Sequence, residues 1–143
     1  MGASVVGYWP GITEEQLADQ PGFYNDCKAW GEWMAVRYDH PHIVALHRSL
    51  GLEPLLSHTT EGMKPSDVDW VEPHVLLSAA NQLRELILAH DPRVKPLVQV
   101  YAQCANGFDD VEQEFAQDLA DVAAIAEFVM SCGVAKMTLE VNW

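Results

Sequence analysis

The end of the chain sets the strongest constraint on its fold. From Ala135 to Trp143 apolar and polar residues alternate. Ala135, Met137, Leu139, Val141 and Trp143 fall on one side, and Lys136, Thr138, Glu140 and Asn142 on the other. A period of two marks a strand with one buried face. A lone strand is not stable in water, so this one needs a partner. The simplest partner is Ala3 to Trp9, rich in Val and aromatics and closed by Pro10-Gly11. Pairing the two brings the termini together.

The residues between them read as helices. Thr13 with Gln16 forms a capping-box pattern, and Glu14 and Glu15 suit a helix start, so a short helix is predicted to about Asp19. Phe23, Cys27, Trp30, Met34 and Tyr38 repeat at helical offsets. Asp39 is placed to cap a helix carrying Ile43, Val44, Leu46, His47 and Leu50, with Gly51 as its stop. Leu52 to Glu72 is irregular, with Pro54, Gly62 and Pro65 among polar residues and room for single helical turns. A connection of this length is more often functional than a short one.

Pro73 opens a helix with Leu76, Ala80, Leu83, Ile87 and His90 on one face, ended by Asp91-Pro92. Arg93 to Cys104 is ambiguous, because Pro96 sits among residues of helical spacing. After the turn at Asn106-Gly107, Asp109 or Asp110 caps a long helix to about Cys132, closed by Gly133, with Phe115, Leu119, Val122, Ala126 and Val129 as its core stripe. The fold expected is mainly helical α+β, about five helices on a small sheet made by the N- and C-terminal strands. An all-α fold with frayed ends is the alternative. The 143 residues fit a single globular domain spanning 1–143, long enough to hold a core without a metal or disulfide.

Charge narrows the function. Eight Lys and Arg against 21 Asp and Glu give a net charge of −13. That balance argues against direct nucleic-acid binding, which relies on clustered Lys and Arg, and against docking on an anionic membrane. No apolar run approaches the ~18 residues of a membrane helix. The opening residues lack the basic and apolar regions of a secretory signal, and Val6 stands where a myristoylation motif wants Ser or Thr. Cys27, Cys104 and Cys132 are odd in number and far apart, which suits reduced thiols. A soluble, cytoplasmic protein is the expectation.

The feature that stands out is an acidic helix. No Lys or Arg occurs from Pro96 to Ala135, and Asp110, Glu114, Asp118 and Asp121 are spaced four, four and three apart, on one helix face. Such a face is either a solvated surface or a docking surface for a basic partner. A second candidate contact lies in the irregular segment, where Asp67 and Asp69 flank Trp70, an aromatic suited to anchoring an interface.

Metal chemistry has weaker support. His40, His42 and His47 form the nearest approach to a ligand cluster, but spacings of five and seven do not converge on one helix face. Asp67-x-Asp69 opens like a calcium loop, yet Glu72 stands where that loop requires Gly. No P-loop, dinucleotide fingerprint, nucleophile elbow or C-x-x-C is present. Ser57-His58 and Ser66-Asp67 supply the letters of a triad without its context. No cofactor is implied.

The sequence thus favours a non-catalytic acidic module that docks on or neutralises a basic protein. An immunity-type inhibitor of a nuclease or other toxin is its most concrete form. Candidate contacts are Asp110, Glu114, Asp118, Asp121, Asp67, Asp69 and Trp70. A small His-containing enzyme or metal-binding protein and an assembly subunit are the alternatives; oligomeric state is open.

Overall fold

The computed structural model describes residues 4–7, 11–23, 30, 32–34, 39–60, 62–104 and 110–142. Within them the protein is mainly helical α+β. The terminal strands pair as expected. β1 (Ser4–Gly7) runs antiparallel to β3 (Leu139–Asn142), with Val5 opposite Val141 and a register shift before Gly7.

The sheet has a third strand that the sequence reading passed over. β2 (His58–Thr60) lies parallel to β3 on its other side, His58 opposite Leu139, so β3 is central in the order β1-β3-β2. An isolated antiparallel bridge from Val71 to Met137 extends this attachment. Residues 52–72 are therefore tied to the sheet at two places.

Met137, just before β3, and Leu139 and Val141 within it are buried, as the alternation predicts. Thr138 does not face solvent. It is fully buried, because Ser57 covers it and the two hydroxyl oxygens lie 2.9 Å apart.

Local signals account for the helix ends. α1 (Glu14–Leu17) starts at the Thr13–Gln16 capping box. α2 (Pro41–Ser49) is capped by His40, not Asp39, because Pro41 takes the first helical position and fixes the start one residue later. It ends in a left-handed Gly51, with the Leu52 amide donating to the His47 carbonyl.

α3 (Pro73–Leu88) buries Leu76, Ala80, Leu83 and Ile87. His90 lies beyond the helix end and is exposed rather than on the core face. It takes the left-handed position of the closing turn at φ 55°, where glycine is usual. α4 (Lys95–Cys104) follows a single turn at Pro92–Val94, and Pro96 sits in its first turn, where its missing N–H costs nothing. α5 (Val111–Ser131) is capped by Asp110, whose carboxylate accepts from the Gln113 amide at 3.1 Å, and Gly133 takes a left-handed turn just past its end.

α3 and α5 form the principal helix pair, and the core lies between them and the sheet. Beside it an aromatic group fills the space under α2. Trp33 packs on His47 with ring centres 5.3 Å apart, and Phe115 stacks on Tyr101 at 4.2 Å. Trp30 and Trp33 are fully buried, as helical spacing implies. Cys27, Tyr38, Asp109, Asn106-Gly107, Trp9 and Trp143 lie outside the described residues.

Candidate functional site

The acidic row on the long helix is not one solvated face. Asp110 is exposed and spends its carboxylate on the helix cap, and Glu114 is half-buried. Asp118 is fully buried and Asp121 is 9 % exposed. The expected core stripe is present, but the buried arc is wider, taking in Ala116, Ala123 and Ile125 as well. Each residue advances ~100° around a helix. Asp118 beside Leu119 and Asp121 beside Val122 therefore fall inside that arc once α3 packs on one flank and α4 on another.

Both buried acids have work inside the protein. Tyr101 donates its hydroxyl to Asp118, and Gln117 donates to Asp121 at 3.0 Å. Burial, and then the Asp118 carboxylate, push the Tyr101 hydroxyl pKa far above its ordinary range, so Tyr101 keeps its proton as a donor. Asp118 and Asp121 are parts of the core, not an open docking face.

The histidines do not assemble. His47 is fully buried on α2 and its Nδ1 donates to the Ile43 carbonyl at 2.9 Å. His40 and His42 sit at the helix start with rings 5.7 Å apart, His42 exposed. Among the described residues no three His, Cys, Asp or Glu side chains converge on a metal position. No described helix is long and apolar enough to cross a membrane.

Trp70 is half-buried. Its indole N–H donates to the Pro65 carbonyl at 3.0 Å, which folds the ring onto its own loop. Asp67 and Asp69 on either side are exposed. The structure thus separates the candidates, with Asp67, Asp69 and Trp70 on one built loop and the α5 acids elsewhere.

That loop borders a cleft of about 370 Å³. α2 contributes Val44 and Arg48, and the Glu53–Leu56 turn contributes Pro54 and Leu56 as apolar wall and Glu53 at the rim. Asp69 and Val71 close the remaining side. The lining is joined from below. Ser57 donates its hydroxyl to the Asp69 carbonyl, which leaves Thr138 to donate to Ser57. The Val71 amide donates to the Met137 carbonyl at 2.9 Å. Asp69 therefore stands on backbone fastened to the sheet.

Charge at the rim is unbalanced. Arg48 Nε meets Glu53 Oε1 at 3.2 Å, which matches one cation with one anion. The Asp69 carboxylate has no hydrogen bond or ion pair among the described residues. Residues 53–72 hold five acids and one Lys.

A second cleft, of about 410 Å³, lies among Ile87, Val94, Val98, His90, Lys95 and Glu112. His90 Nδ1 lies 2.7 Å from Glu112, and Arg93 grips Asp91 and holds that carboxyl below its usual pKa, while Lys95 has no ion pair among the described residues. Among the described residues the unpaired charge of this cleft is a cation, Lys95, whereas that of the first cleft is the Asp69 carboxylate.

Sequence reasoning missed Glu53, Arg48 and Ser57. The acid density of 53–72 was a usable signal for Glu53. Ser57 had none, since its role depends on Thr138, 81 residues away.

Fold and site together define a mainly helical α+β protein with an acid-rimmed cleft on a loop fastened to its sheet. No family model matches the chain, and neither curated proteins nor solved structures give a significant match.

Proposed function

We propose that this protein is a non-catalytic acidic module that docks on a basic protein, with the 53–72 segment as its contact surface. The carrying observation is the exposed Asp69 carboxylate, unpaired among the described residues, on a fastened loop beside exposed Asp67. Loop backbone already fastened to the sheet loses little freedom when a cation meets it, so more of the attraction appears as affinity. The net charge of −13 speeds encounter with a basic surface and rejects acidic ones.

Inhibition of a toxin whose cleft is lined with Lys and Arg is the most concrete form of this activity. The acidic loop would then occupy the position of substrate phosphates. Cys104 and Cys132 are free thiols, which supports action in a reducing compartment such as the cytoplasm.

The test is capture from a lysate on immobilised protein, eluted by a salt gradient, run beside the Asp67→Lys/Asp69→Lys double variant. A basic protein held by the native chain, released at moderate salt and not held by the variant is the expected result. Equal retention by both chains, or retention of generic basic proteins alone, would refute the reading.

A further inference from the structure

We propose that the cleft between α2 and the 53–57 and 69–71 segments receives an arginine side chain of the basic partner. The inference rests on the docking reading and adds the chemistry of the contact. Three observations lead to it.

The first is the match of wall and rim. Val44, Leu56 and Val71 give the cleft apolar sides, and Asp69, an exposed acid, stands at its rim. Long cationic side chains have that division in reverse: an apolar stem that packs and a charged head that seeks oxygen. A purely apolar occupant would cover Asp69 without a partner, and burying an unpaired charge is costly. An anionic occupant would meet a rim that is already net negative.

The second is that the rim already holds a guanidinium. Arg48 donates through Nε to one oxygen of Glu53. The pair is exposed, so it holds its geometry weakly and can share Glu53 with an incoming donor.

The third is the fastening of Asp69. Its carbonyl is taken by Ser57, and the neighbouring Val71 is bridged to Met137. A planar guanidinium presents donors in a fixed fork that matches the two oxygens of a carboxylate, whereas a lysine ammonium is a more strongly hydrated point charge. This selects arginine over lysine. The volume, about 370 Å³, lies at the low end of ligand pockets and suits a single side chain.

The test titrates the full chain with N-acetyl-arginine methylamide and follows backbone amides by NMR. The lysine analogue and the neutral citrulline analogue serve as comparisons. The expected result is saturable shifts centred on Val44, Leu56, Asp69 and Val71, with a dissociation constant on the order of millimolar. Lysine should bind more weakly and citrulline not measurably. Asp69→Asn, an exposed isosteric change that leaves the fold intact, should weaken arginine binding about fivefold. Shifts spread over all exposed acids without saturation, equal binding of citrulline, or no effect of Asp69→Asn would overturn the assignment.

The two readings fail separately. Salt-sensitive retention of a basic protein with no cleft shifts would end the arginine assignment and leave docking in place. Cleft shifts with no basic protein retained would end the docking reading, and with it the partner's arginine.

Discussion

Replacing Tyr101 with Phe removes one oxygen from a site where its loss can be priced. Tyr101 and Asp118 are both fully buried, and the hydroxyl donates to the Asp118 carboxylate. The ring stays, with its 4.2 Å stacking on Phe115, so apolar packing is conserved. A hydrogen bond to a charged group contributes about 1.5–3 kcal/mol, and losing the donor leaves a buried oxygen less well satisfied. We expect Tyr101→Phe to lower unfolding stability by about 2 kcal/mol. Domains of this size have 5–15 kcal/mol in total, so the change is large. The melting temperature should fall by roughly 7 °C.

Urea unfolding at neutral pH measures the effect, with an unchanged slope showing that only stability moved. Titration adds a signature. A group whose native pKa is raised contributes stability that is fully present below its unfolded value and lost as pH rises. For Tyr101 the loss begins near 10.0, and Tyr101→Phe should lack it. A change under about 0.5 kcal/mol, within the range of an ordinary surface substitution, would refute the reasoning.

Other consequences can be checked in the same assay. Burial, with a smaller contribution from Glu32, raises the Cys104 thiol from 9.0 to about 11, so stability should decline as pH rises across that window and Cys104→Ala should flatten the decline. Gly51 has φ 72° with open space around it, so Gly51→Ala should cost about 1 kcal/mol through backbone strain alone, read as a lower urea midpoint. Thr138→Val keeps the buried shape but removes the donor to Ser57, and should cost about 1 kcal/mol while Asp69 keeps its own anchor; no loss would mean the hydroxyl pair contributes nothing.

Most of the fold was legible because its signals are local. The capping box at Thr13, the glycines at 51 and 133 and the alternation of β3 each act within a few residues, and the structure places helix and strand ends there. β2 was not legible. His58–Thr60 is three residues long, carries no apolar alternation, and exists as a strand because β3 lies beside it. Ser57, just before β2, covers Thr138, the polar residue just before β3.

The α5 acids were misplaced for a related reason. Spacing showed which residues share a helix face, but the width of the buried arc depends on how many neighbours the helix has. With α3 and α4 both against it, α5 takes Asp118 and Asp121 inward and satisfies them with Tyr101 and Gln117. Asp67 and Asp69 are exposed, because a turn opened by Pro65 and rich in Asp favours the surface whatever packs below.

The central claim is that negative charge at the 53–72 loop, rather than the charge of the whole chain, binds a basic partner. Binding to an immobilised hexa-arginine peptide across a salt series tests it most directly. The comparison is between the native chain, Asp67→Asn/Asp69→Asn, and Glu127→Gln, an exposed acid on α5. Removal of the two loop charges should weaken binding up to about tenfold and flatten its salt dependence, with Glu127→Gln unchanged. Equal weakening by Glu127→Gln, or none from the loop variant, would contradict the account and make the acidity a general property of the surface.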